Sequence, residues 1–291
     1  VRARPGPFLV IPAFWLGACL LLPALLVLKI SLSTTTETVP PYAPLLTAAH
    51  DGSLALTIHP DSYAYLFHDP VYARALLGSL GNAAITTGLC LLIGLPMALA
   101  ITRAGPRLRP LLLLAVVLPF WTSFMIRIYA LIGLLGRNGL INALLLHLGI
   151  IDRPLVIMNT EWAVAIGMTY AYLPFMVLPL YATFERLDPT LLEAAADLGA
   201  TPFSALFRIT LPLALPGIVA GSLLVFIPAV GEYVIPELLG GPNTLMIATQ
   251  LFNEFFSNQD WPTASAVTIV LLVLLLAPLV AFERARALVR S

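Results

Sequence analysis

The chain has 291 residues, of which 59% are hydrophobic and only 10% charged, where an ordinary globular domain carries roughly 25% charged residues. A water-soluble fold cannot hide that much apolar surface, so the composition is that of an integral membrane protein. Its 15 basic and 15 acidic residues cancel, leaving neither the basic field that nucleic acid requires nor an acidic tail.

A bilayer core takes about 20 apolar residues in helical form, and six stretches are predicted to cross it: 8–30, 76–101, 111–135, 162–184, 216–238 and 264–282. The expected fold class is therefore an all-α membrane protein of six transmembrane helices, forming one transmembrane domain over 1–291. Basic residues are retained on the cytoplasmic side. With six spans, Arg2, Arg4, Arg103, Arg107, Arg109, Arg186, Arg208, Arg284, Arg286 and Arg290 fall on one side. Lys29, Arg74, Arg137 and Arg153 fall on the other, and Arg127 lies inside the third span. Both termini are thus expected in the cytoplasm.

The first span contains Leu16-Gly17-Ala18-Cys19, which resembles a lipoprotein processing box. The apolar run continues to Leu28, far beyond the hydrophobic region of a signal peptide, so it reads as an uncleaved span. Cys19 and Cys90 both sit in apolar runs, where a free cysteine behaves as a small hydrophobe. Lys29 is the only lysine and follows no glycine-rich loop, so a phosphate-binding P-loop is excluded. The outer segment, about 31–75, is polar, with turns at Pro40-Pro41-Tyr42 and Asp51-Gly52. His50, His59, His68 and His147 lack the spacing of a helical metal site, and no metal is expected. Prolines inside the spans, among them Pro23, Pro96, Pro119, Pro174, Pro179, Pro228 and Pro278, each remove a backbone hydrogen bond and predict kinks.

The cytoplasmic connector, about 185–215, carries the most specific pattern. Asp188 and Pro189 read as a helix start, and the run Leu192-Glu193-Ala194-Ala195-Ala196-Asp197 as a short helix with a small-residue face. Gly199 reads as a left-handed stop, Pro202 as the start of a second short helix, and Leu211-Pro212 as its end. Together these make a compact docking knob.

Glu193, Ala194, Ala195, Gly199, Ile209, Leu211 and Pro212 resemble the EAA loop of ABC importer permeases at every position. The resemblance extends along nearly the whole chain. Val39-Pro40-Pro41-Tyr42 and the stretches from Pro119 to Ala130, from Tyr170 to Pro179 and from Phe226 to Pro242 are similar to the polyamine permeases of that family. What the resemblance implies is a transport subunit of the bacterial inner membrane without enzymatic activity. It implies a second permease, two ATPase subunits and an external solute-binding protein as partners, with ATP and Mg held by the ATPase and no cofactor in this chain. The connector would then be the ATPase-coupling loop.

A path for small organic cations calls for carboxylates and aromatic faces. The candidates are Glu232, Tyr233, Tyr129, Tyr172, Asp260 and Trp261, with Glu254 and Glu237 in reserve. Counted at about 1.5 Å per residue from the inner ends of their spans, Arg127 and Glu232 lie at equal depth, roughly 24 Å. An Arg127–Glu232 ion pair that holds two helices is therefore an equal expectation. Competing classes are a permease for another small organic solute and an ion-gradient-driven carrier, which has no use for a docking loop. A membrane enzyme finds no zinc motif or nucleophile elbow here.

Overall fold

The computed structural model describes residues 7–48, 54–242 and 244–289. Arg2, Arg4, His50, Asp51, Gly52 and Arg290 lie outside the described residues. Among the described residues the regular elements are helices except for one two-stranded ribbon. In order the chain forms α1 (Pro7–Ser31), strands β1 (Leu46–Ala48) and β2 (Leu54–Leu56), α2 (Asp61–His68), α3 (Pro70–Arg103), α4 (Leu108–Val117) and α5 (Phe124–Leu135). Next come α6 (Leu140–His147), α7 (Glu161–Phe184), α8 (Thr190–Asp197), α9 (Pro202–Ala205), α10 (Leu211–Val230), α11 (Val234–Leu239), α12 (Ile247–Phe252) and α13 (Trp261–Val289). The ribbon β1–β2 is antiparallel, with Thr47 opposite Ala55, and is a small exception to the all-α expectation. Among the described residues, five helical segments are long and apolar enough to cross a membrane: Val10–Ser31, Pro70–Arg103, Phe124–His147, Glu161–Phe184 and Pro202–Val230.

The predicted spans are altered at three places, each with a local cause. The third stretch, expected to be one helix over 111–135, is interrupted. α4 tightens into a 3₁₀ turn at Leu118–Trp121, Thr122 is extended (φ −95°, ψ 154°), and α5 starts afresh after Ser123. Pro119 supplies the reason, because its carbonyl is taken by the Thr122 N–H and by the Thr122 hydroxyl at 2.8 Å. Such local bonds compete with continuation of the helix. The fifth stretch, expected over 216–238, ends at Val230, and residues 231–233 separate α10 from α11. Pro236 would clash with the carbonyl of residue 232 in an unbroken helix. Finally, Leu211-Pro212 does not end a helix. α9 runs through a π-helical turn, Leu206–Thr210, directly into α10, with the Leu211 N–H donating to the Leu206 carbonyl. A proline lacks the next donor, and the wider turn accommodates its ring without a break.

The chain forms two compact units, residues 76–248 and residues 1–75 with 249–291. In the first, α7 is the core helix: Val164, Met168, Met176, Val177 and Leu180 are fully buried or nearly so. α10 packs along it through Gly217 and Gly221, a small-xxx-small spacing that lets helices approach closely in membranes. A Cβ at Gly221 would sit 2.8 Å from the Met176 Sδ, and one at Gly217 would sit 2.8 Å from the Thr183 Cβ. In the second unit α1 and α2 pack against α13. Trp261 at the start of α13 stacks with Phe255 (4.8 Å between centroids) and with Tyr42 (6.2 Å).

Candidate functional site

Within the 185–215 connector, α8, the Gly199 turn and the start of α9 lie where the residues predict, while the second helix continues into α10 instead of closing at Leu211-Pro212. The Asp188 Oδ1 accepts from the Thr190 N–H at 3.0 Å and from its hydroxyl at 2.8 Å, an N-terminal cap for α8. Those two bonds hold the Asp188 carboxyl below the usual carboxylate range. A depressed pKa means that the cap is complete above the ordinary carboxylate value and is lost only as pH falls through the lowered one. At the far end Gly199 has φ +80°. Its N–H reaches the Ala196 carbonyl, and the Ala200 N–H reaches the Ala195 carbonyl, both at 2.9 Å, the two bonds of a Schellman stop. Thr201 caps α9 by accepting from the Ser204 N–H, with Pro202 in the first turn.

Glu193 and Ala194 are exposed on α8, Ala195 is buried, and Leu198, Phe203 and Phe207 present large apolar side chains to the outside. Ile209 lies in the π turn, and Leu211 and Pro212 begin α10. A cavity of about 200 Å³ is lined by Leu192 and Ala196 of α8, by Ala200, Leu206 and Thr210, and by Arg103 at the end of α3.

Among the intramembrane candidates, the structure joins Glu232 to Tyr172 rather than to Arg127. Glu232 lies in the bend between α10 and α11, not within a helix. Its Oε1 accepts from the N–H groups of Val234 (3.0 Å) and Ile235 (3.3 Å) and so caps α11, where the helix dipole favours a negative charge. Its Oε2 accepts from the Tyr172 hydroxyl of α7.

Arg127 forms no ion pair with Glu232. Its guanidinium lies over the rings of Phe120 (5.0 Å) and Phe124 (5.6 Å), and its Nε is buried with no hydrogen-bond partner. The equal-depth expectation assumed unbroken helices, and both helices are broken next to the residues concerned. Phe120 meets Phe175 edge to face at 5.3 Å, and Phe175 lies 6.2 Å from Tyr172. An aromatic wall thus runs from the arginine to the glutamate. Tyr233 flanks Glu232 in the bend, and Tyr129 is exposed on α5, apart from this group.

Asp260 and Trp261 belong to the other unit. The Asp260 Oδ1 accepts from the Thr35 hydroxyl at 2.6 Å and the Thr263 N–H at 3.1 Å, so this carboxylate caps α13 and ties it to the 31–42 segment. Glu254 accepts from the Tyr72 hydroxyl at 2.6 Å and from the Asn258 amide at 2.9 Å. One network has no signal in the sequence. Arg109 pairs with Glu185 at 3.3 Å and donates to the Thr102 carbonyl at 2.7 Å, while the Tyr181 hydroxyl donates to the same carboxylate. These residues lie 76 positions apart, and only the packing of α7 brings them together.

Comparison with known proteins places this arrangement in a family. Residues 8–284 match the model of the binding-protein-dependent transport system inner membrane component. The chain is 44% identical over 276 residues to the spermidine/putrescine transport system permease protein PotB of Haemophilus influenzae, covering 94% of this chain and 91% of that one. It is 44% identical over 231 residues to the protein of the same name from Escherichia coli K12, covering 79% and 84%. Its fold is similar to a chain in the crystal structure of a bacterial ABC transporter involved in import of the acidic polysaccharide alginate. There the TM-score is 0.64 at 22% identity, with 95% of this chain and 94% of that one covered. With the family model matching almost end to end, the chain is a multi-pass membrane protein that belongs to the inner membrane permease components of binding-protein-dependent transport systems.

Proposed function

We propose that this chain is one of the two permease subunits of an ATP-driven importer of polyamines such as putrescine or spermidine, in the bacterial inner membrane. The observation that carries the reading is the likeness to the spermidine/putrescine permease along 94% of the chain, which includes both the knob and the Tyr172–Glu232 region. A second permease completes the translocation path, two ATPase subunits hold ATP and Mg, and an external binding protein delivers the solute. Both termini face the cytoplasm.

In this reading the α8–α9 knob docks on an ATPase subunit through its exposed apolar residues. The π turn makes α9 and α10 one continuous body, so a displacement of the knob is carried along α10 to the bend at Gly231. Glu232 and Tyr172 sit at that bend, and they are the residues proposed to meet the passing cation. Tyr233 stands beside them. Tyr129 remains a path candidate on α5, and Asp260 and Trp261 are candidates for the outer approach.

The test is reconstitution. The chain, co-expressed with its neighbouring transport genes, is purified, placed in liposomes with ATP inside, and offered labelled putrescine, spermidine and an uncharged solute with the binding protein. Uptake of a polyamine that depends on ATP is expected, and the chain purified alone should hydrolyse no ATP. Uptake of the uncharged solute in preference to either amine would overturn the substrate assignment. Hydrolysis by the isolated chain would overturn its role as a permease.

A further inference from the structure

We infer that Arg109 is a positioning residue of the transport cycle. Its guanidinium clamps the adjoining ends of α3, α4 and α7 together at the root of the α8–α9 knob, so that movement of the knob is delivered to the membrane helices instead of being lost in its attachment. This deepens the proposed function and rests on the reading of the knob as the ATPase-coupling element.

The guanidinium reaches two other helices at once. One nitrogen donates to the Thr102 carbonyl in the last turn of α3 at 2.7 Å. The residue four positions beyond Thr102 is Pro106, which has no N–H to offer that carbonyl. Another nitrogen donates to the Glu185 Oε1 at 3.3 Å, and the Tyr181 hydroxyl, one turn earlier on α7, donates to the same oxygen at 2.7 Å. Glu185 is the C-cap of α7, and only Arg186 and Leu187 separate it from Asp188, the cap of α8. On another side the end of α7 is wedged against α10, where Gly217 meets Thr183. Arg103, next to Thr102, lines the cavity that it shares with Leu192 and Ala196 of α8. The knob therefore leaves the helices at the point where the guanidinium sits.

Local energetics argue that stability is not what this arrangement secures. A positive charge in the first turn of α4 and a negative one at the end of α7 each stand where their own helix dipole disfavours them. The Arg109 Nε is buried with no hydrogen-bond partner, which is unfavourable by itself. The ion pair, with side chains 32% and 47% exposed, is of the kind that contributes little in return. Sequences break such local rules chiefly where function requires it. What the arrangement does secure is geometry. A planar fork that holds a carboxylate and a carbonyl together fixes the relative placement of three helix ends, which a point charge does not.

The experiment uses the complete transporter in liposomes, with polyamine uptake and ATP hydrolysis measured on the same vesicles at equal amounts of assembled complex. Arg109→Gln should assemble and hydrolyse ATP at the wild-type basal rate, while the polyamine imported per ATP falls several-fold. Arg109→Lys should recover only part of that ratio, because an ammonium serves one partner at a time. Arg109→Glu combined with Glu185→Arg should recover more than either single reversal does, although it gives up the Thr102 bond. In hydrogen exchange of the complex, Arg109→Gln should speed the backbone amides between residues 104 and 108 and between 186 and 188, and leave the middle of α7 unchanged. A wild-type ratio in Arg109→Gln, or a loss confined to the amount of complex, would overturn the inference and leave the permease reading standing. Absence of ATP-driven uptake by the wild-type transporter would overturn both.

Discussion

A carboxylate offers about four lone-pair positions, and Glu232 uses three: two on the α11 N–H groups and one on the Tyr172 hydroxyl. One remains, on a group that is half-buried in a bend rather than sealed in a helix. This is the arrangement of an anion that is held in place and still able to take an ammonium. Glu232→Gln tests it, since the amide oxygen still accepts from the backbone and keeps the cap while the negative charge is gone. Hydrogen bonds to charged groups contribute about 1.5–3 kcal/mol, so uptake efficiency for a polyamine should fall about ten-fold or more at unchanged protein level. A variant with wild-type uptake would leave Glu232 as a cap only. The sequence reading picked out Glu232 and Tyr172 because ionisable and aromatic groups in an apolar run are conspicuous. The Arg127 pairing, which it held as an equal alternative to path lining, is not the contact found, because depth was counted along rods that the breaks at Thr122–Ser123 and Gly231–Tyr233 interrupt. Arg127 takes aromatic faces in place of a carboxylate, a partnership that needs no charge and so leaves no charge pattern to read.

At the scale of elements, the knob was legible because its signals are local. A carboxylate two residues before a helix, a glycine at its end and a proline opening the next helix each act within one turn. The π turn at 206–210 was not legible, since a proline reads as a stop whether the chain breaks there or widens by one residue. Gly199 gives the sharpest test of the knob. A Cβ there would meet nothing within 4 Å, so the first effect of a substitution is on the left-handed backbone, about 1–2 kcal/mol for a residue with a Cβ. Gly199→Leu should therefore insert and accumulate like wild type but misplace α9 relative to α8, and ATP-driven uptake should drop several-fold. Gly199→Asn, which tolerates that conformation better, should retain more activity. Equal and full uptake by both variants, measured in reconstituted transporters, would remove the knob from the coupling mechanism.

The division of the whole molecule into residues 76–248 and the two chain ends was beyond the reach of hydropathy, because contacts of α1 and α2 with α13 join segments nearly 200 residues apart. Orientation was read from the distribution of basic residues, and two contacts within residues 76–248 bear on a separate matter, which connectors share a side. Arg109, in the connector before the third predicted span, pairs with Glu185, just after the fourth. The Asn159 N–H, before the fourth span, donates to the Leu239 carbonyl after the fifth at 3.0 Å. Connectors that touch lie on the same side of a membrane, so 104–109 goes with 185–187 and 157–160 with 239–241. The contacts give connectors that share a side, as an alternation of six spans requires, and leave open which side is cytoplasmic. Single cysteines in a chain lacking Cys19 and Cys90 turn it into a measurement. Gly105→Cys and Asp197→Cys should react with a membrane-impermeant maleimide only after the cells are opened, whereas Pro41→Cys and Asp152→Cys should react in intact cells. Labelling of residue 105 together with residue 152 from one side would contradict the alternation, and a complete reversal of all four would place the knob outside, where no ATPase could reach it.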